Sequence, residues 1–109
     1  MANIIYRTRR EAKAACTYEA AAASHFSKVA FECARRGECR NAWSAADNAR
    51  TAAKCAMQAH EVLWELAGEN MTEAEYDAFV KAETAQTDAT KAEQAARAAV
   101  RQIMDEARN

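Results

Sequence analysis

Apolar residues recur at alternating steps of three and four along two long stretches of this chain. One runs Ala42, Ala45, Ala49, Ala52, Ala56, Ala59, Leu63 and Leu66, the other Ala78, Ala82, Ala85, Ala89, Ala92, Ala96, Ala99 and Ile103. That spacing puts the members of each stripe on one face of a helix. Almost all are alanine, and small side chains along a seam let two helices approach near the lower end of the usual ~8–10 Å interaxial distance. A second stripe lies beside the first: Trp43, Ala46, Ala53, Met57, His60, Trp64 and Ala67, interrupted by Arg50. It widens the apolar face of the middle segment, which is therefore expected to pack against both neighbours.

Two glycines punctuate the pattern, Gly37 and Gly68, and the chain has no proline. Each follows an apolar-periodic run, where a helix C-terminus accepts the left-handed conformation that glycine adopts cheaply. The predicted helices cover residues of about 8–36, 38–67 and 73–107. The first starts at Asn3 or at Thr8, where "TRRE" fits a capping box. The third starts at "MTEAE", with Thr72 as N-cap and Glu75 reaching back to it. "ETAQTDAT" (residues 83 to 90) is the weakest helical segment, since threonine and aspartate lower propensity there. Thirty alanines in 109 residues reinforce the helical reading. The expected fold is all-α, one domain over residues 1–109: an antiparallel up-down-up bundle of three long Ala-rich helices.

Bulky residues gather toward the two ends of such a bundle. Ile4, Ile5, Tyr6, Leu63, Trp64, Leu66, Tyr76 and Phe79 fall at one end, and Phe26, Val29, Phe31, Trp43, Val100, Ile103 and Met104 at the other. Burying a side chain of Leu or Phe size contributes about 1.5–3 kcal/mol, far more than an alanine methyl. The two ends are therefore expected to dominate the packing, with Trp43 and Trp64 in the core.

The four cysteines bracket the first turn in two tiers. Cys33 and Cys39 flank Gly37 in "CARRGEC", and Cys16 falls level with Cys55 about two dozen ångström down an antiparallel hairpin at ~1.5 Å per residue. In arrangement this resembles the twin-cysteine hairpins of the mitochondrial coiled-coil-helix family, with longer spacings, sixteen residues between Cys16 and Cys33 and fifteen between Cys39 and Cys55. The resemblance implies an outer and an inner disulfide. A cytosolic setting favours free thiols. His25 and His60 lie several turns from "CARRGEC", so no set of four zinc ligands assembles within one chain. No nucleophile elbow, Glu-x-x-His pair or phosphate-binding glycine loop is present. No catalytic residue, metal site or cofactor is expected.

The net charge of −1 conceals +5 over residues 1 to 56 and −6 over residues 57 to 109. Acids concentrate between residues 61 and 93. Glu69, Glu73, Glu75, Asp77 and Glu83 form the candidate partner-binding surface, suited to a basic groove on another protein. Some of these acids also sit where a helix N-terminus favours negative charge. Arg7, Arg9, Arg10 and Lys13 at the start of the first helix make the alternative, a nucleic-acid contact.

No run reaches the ~20 apolar residues a membrane span needs, and the start of the chain lacks a signal-peptide core. The expected protein is cytoplasmic and non-enzymatic, a protein-protein interaction module with the possibility of a homodimer or a structural assembly. Size, missing catalytic motifs and charge asymmetry suit a phage-encoded inhibitor of the anti-CRISPR kind, presenting its acidic surface to a nucleic-acid enzyme complex such as a CRISPR or other defence nuclease.

Overall fold

The computed structural model describes residues 6–108; Ile4, Ile5 and the alternative helix start at Asn3 lie outside the described residues. Three helices, α1 (Arg9–Arg35), α2 (Cys39–Ala67) and α3 (Glu73–Arg108), make up almost all of it, with a short 3-10 turn at Gly68–Asn70 and no strand among the described residues. Each helix packs against the other two.

The helix ends follow from local chemistry. Thr8 caps α1 by accepting a hydrogen bond from the Glu11 amide at 3.1 Å. "CARRGEC" closes α1 with a Schellman motif: the Gly37 amide donates to the Ala34 carbonyl at 3.1 Å and the Glu38 amide to the Cys33 carbonyl at 2.9 Å. Gly37 has φ +77° there, a conformation that a Cβ would strain. Thr72 and Glu75 form a reciprocal capping box on α3. The Glu75 amide donates to the Thr72 hydroxyl at 3.1 Å, and the Thr72 amide donates to the Glu75 carboxylate at 2.9 Å. "ETAQTDAT" remains inside α3, where the hydroxyls of Thr84, Thr87 and Thr90 each donate to the carbonyl four residues earlier.

The core is a column of three clusters. The first joins Ala12 and Cys16 of α1 to Ala56, Ala59, Leu63 and Ala67 of α2 and to Ala78 and Ala82 of α3. The second joins Ala20 and Ala23 to Ala49, Ala52, Ala53, Ala85 and Ala89, and the third joins Ala30 to Ala42, Ala45, Ala46, Ala92 and Ala96. From one cluster to the next, residue numbers rise in α1 and α3 and fall in α2. Among the described residues, every buried hydrophobic residue apart from Cys16 and Leu63 is alanine. Both alanine stripes are buried throughout; only their terminal bulky members, Leu66 and Ile103, are exposed.

Of the bulky residues expected at the two ends, Leu63 is fully buried and Tyr6 and Phe79 pack partly buried against the first cluster, but neither tryptophan is in the core. Trp43 is 38% and Trp64 53% exposed, and Phe31, Tyr76 and Met104 are exposed as well. The reason is spacing. Helices drawn together along alanine seams leave no interior volume for an indole, so within the second stripe of α2 the small members Ala46, Ala53 and Ala67 are buried while Trp43 and Trp64 are displaced to the rim. The result is a thin rod of 58 × 29 × 16 Å. Its radius of gyration, 16.3 Å, exceeds the ~13 Å of a round domain of this length.

Candidate functional site

Leu63 is fully buried, and its neighbour Trp64, about 100° further round α2, emerges at the rim facing α3. There it leans on Phe79 of α3, with ring centroids 6.2 Å apart and planes at 41°. His60, one turn earlier, stacks on the same phenyl ring at 3.6 Å and 18°. An aromatic row of His60, Phe79 and Trp64 thus bridges α2 and α3. On its α2 side opens a groove of about 470 Å³ lined by Lys54, Met57, Gln58, His60, Glu61 and Trp64.

Glu83 borders this row: its Oε2 lies 3.6 Å from His60 Nε2, beyond hydrogen-bond length. The Nε2 atom is buried and has no hydrogen-bond partner among the described residues. Glu61, Glu65 and Glu69 are exposed along the end of α2 and the following turn, and Glu73 and Asp77 are exposed on the first turns of α3.

Glu75 departs from the other acids. It is 7% exposed. Arg9 grips its carboxylate with two nitrogens, Nε at 2.8 Å to one oxygen and Nη2 to the other, while Nη2 also donates to the Asn70 carbonyl at 2.9 Å. The Arg9 hydrogen bonds, then that of the Thr72 amide, hold the Glu75 carboxyl down to a pKa of about 2. Glu75 and Arg9, expected in an acidic and a basic binding surface respectively, are instead each other's partner, tying the start of α1 to the start of α3. Arg7 and Arg10 are exposed beside this pair and Lys13 is half-buried. The fold thus lays the basic start of α1 against part of the acidic stretch and locally offsets the charge asymmetry of the two halves.

The four cysteines are free thiols. Cys16 is fully buried, its Sγ 4.0 Å from the Ala56 carbonyl oxygen, and burial pushes its thiol up to about 11. Cys55 is half-buried, its thiol raised first by burial and then by the Glu19 carboxylate. The Tyr6 hydroxyl, raised mainly by burial, feels the charges of Cys55, Glu19 and Cys16. Among the described residues no three His, Cys, Asp or Glu side chains converge in a metal-ligating group, and no helix is long and apolar enough to cross a membrane. His25 is exposed, edge-on to Phe26.

What sequence reasoning missed here is Trp64 as an exposed residue, along with the aromatic row beneath it. A signal was present: Trp64 stands one position off the Leu63 seam, on a helix whose seam partners are too small to make room for it. No protein-family model, curated protein or solved structure matches this chain.

Proposed function

We propose that this chain is a cytoplasmic, non-enzymatic interaction module: a single-domain, antiparallel up-down-up bundle of Ala-rich helices that presents an acidic surface centred on Trp64 to a basic groove on another protein. The observation that carries this reading is the 53% exposure of Trp64. A tryptophan left at the surface of a chain this rich in small residues has the character of a binding anchor, since interface hot spots are enriched in tryptophan and cluster in apolar patches rimmed by polar groups. The rim here is acidic: Glu61, Glu65, Glu69, Glu73 and Asp77 are exposed at this end, and Glu83 flanks the aromatic row. Glu75 no longer belongs to the surface, because its carboxylate serves Arg9.

Charge of this sign steers encounter with a basic partner, and the indole supplies the contact that slows dissociation. The nucleic-acid groove of a defence nuclease is a partner of that chemistry, and a phage-encoded inhibitor is the role that fits it. Immobilised wild-type protein, Trp64→Ala, and a Glu69→Lys/Glu73→Lys/Asp77→Lys variant, each incubated with extract of the native host, test this. A partner held by wild type and lost from both variants, with helicity unchanged, is the expected result. Equal retention of that partner by all three proteins overturns the assignment.

A further inference from the structure

At the other end of the rod a second groove, of about 400 Å³, runs between the start of α2 and the end of α3. Trp43, Val100 and Met104 are among its apolar lining, and Arg97, Arg101 and Arg108 outnumber its one acid, Asp105. The Arg97 guanidinium stands 5.9 Å from the centroid of the Trp43 ring and is held by Glu93 at 2.9 Å. Arg101 and Arg108 make no ion pair with a described residue. This groove is the electrostatic complement of the Trp64 surface.

The two surfaces cannot meet within one molecule. Trp43 and Trp64 stand on the same rigid helix, about 31 Å apart at ~1.5 Å per residue. Their separation is three heptads, so in helices packed along a heptad seam they share one face. That face borders α3 at both places, through Arg97 at one and Phe79 at the other. On α3 the same register puts Glu73 four heptads before Arg101 and five before Arg108, in one exposed row. Each end of this α2–α3 face thus carries an exposed tryptophan, one beside acids and the other beside arginines.

We infer that the α2–α3 face pairs with a second copy of this chain as an antiparallel two-fold dimer, each Trp43 groove receiving the Trp64 surface of the other copy. A two-fold axis level with residues 53 and 54 brings Trp43 opposite the other copy's Trp64, and Arg101 level with the stretch that holds its Glu73. Every contact is made twice, and the assembly closes at two chains. Apolar area at Trp43, Trp64, Tyr76 and Met104, all exposed in the single chain, is available for cover. The alanine stripes cannot mediate the pairing, because they are already buried. The inference rests on the preceding reading only for the character of the Trp64 surface; a basic partner would compete with the second copy for it.

Light scattering coupled to size exclusion, run on the purified full chain over a concentration series, tests the pairing without any partner. The expected mass rises from 12.0 kDa toward twice that value and no further, and raised salt shifts the transition to higher concentration. Arg101→Glu alone, or Glu73→Arg alone, weakens association about ten-fold or more. Mixing the two variants restores a dimer, because each then supplies the sign the other lacks at both contacts. Trp43→Ala, an exposed truncation, weakens association as well and guards against a charge variant that fails to fold. A monomer at every concentration, growth beyond two chains, or failure of the mixture to recover a dimer when both variants are helical overturns the proposal. Loss of host-partner capture by the Trp64→Ala protein is a separate readout, so either reading can fail alone.

Discussion

Glu75 shows how one side chain acts at three levels. It closes the capping box of α3, it accepts the fork of Arg9, and through that fork it joins two helices more than sixty residues apart in the chain. Its folded pKa, about 2, lies below the ordinary 4.5 of a glutamate. The stabilisation is therefore complete above about 4.5 and is lost as pH falls toward about 2. In denaturant melts the wild type should lose stability through that window, whereas Glu75→Gln should be less stable at neutral pH and flatter on the acid side. Cys16 is the chemical counterpart: fully buried, with its thiol raised to about 11, it should resist a thiol-specific reagent at neutral pH until the protein unfolds, while Cys33 and Cys39 are labelled in the native state. Neighbours Leu63 and Trp64 make the sharpest pair. Leu63→Ala should cost about 2–5 kcal/mol as a core cavity, while Trp64→Ala should change monomer stability by less than about 1 kcal/mol. A large loss at Trp64 in urea titration would return the indole to a structural role.

At the scale of the element, the helices were legible because their signals are local. Thr8, Thr72 and Glu75 announce N-termini through side chains that reach backbone amides within three residues, and Gly37 announces a C-terminus through its own backbone. A Cβ at Gly37 would meet no neighbouring atom, so the cost of Gly37→Ala is conformational alone, about 1–2 kcal/mol in thermal unfolding. The alanine stripes were legible for the same reason, since a 3-4 repeat reports a helix face directly. Side-chain size sorted the rest. Along α2 the alanine members of both stripes are buried, and the bulky ones sit at the rim except Leu63. Ala53→Leu, placing extra methylenes into the all-alanine middle level of the column, should cost about 1–3 kcal/mol and loosen the helix contacts.

The whole molecule is a thin rod with an alanine interior, and that shape governs what its surface offers. Helices set close together bury little volume per residue and leave their large side chains outside, so apolar surface is available for recognition without a deep cavity. Charge is redistributed by the same packing. The halves of the chain carry +5 and −6, yet Arg9 and Glu75 meet because α1 and α3 begin at the same end of the column. What remains is local: acids around Trp64 and arginines around Trp43. Periodicity, capping residues and two glycines by themselves determined helical class, helix limits and the buried alanine faces, since each depends on interactions spanning a few residues. Whether Trp43, Trp64, Glu75 and Arg9 face inward, outward or one another was decided only by tertiary structure. That outcome depends on how closely three helices approach and which ends lie together, quantities set jointly by all the seams.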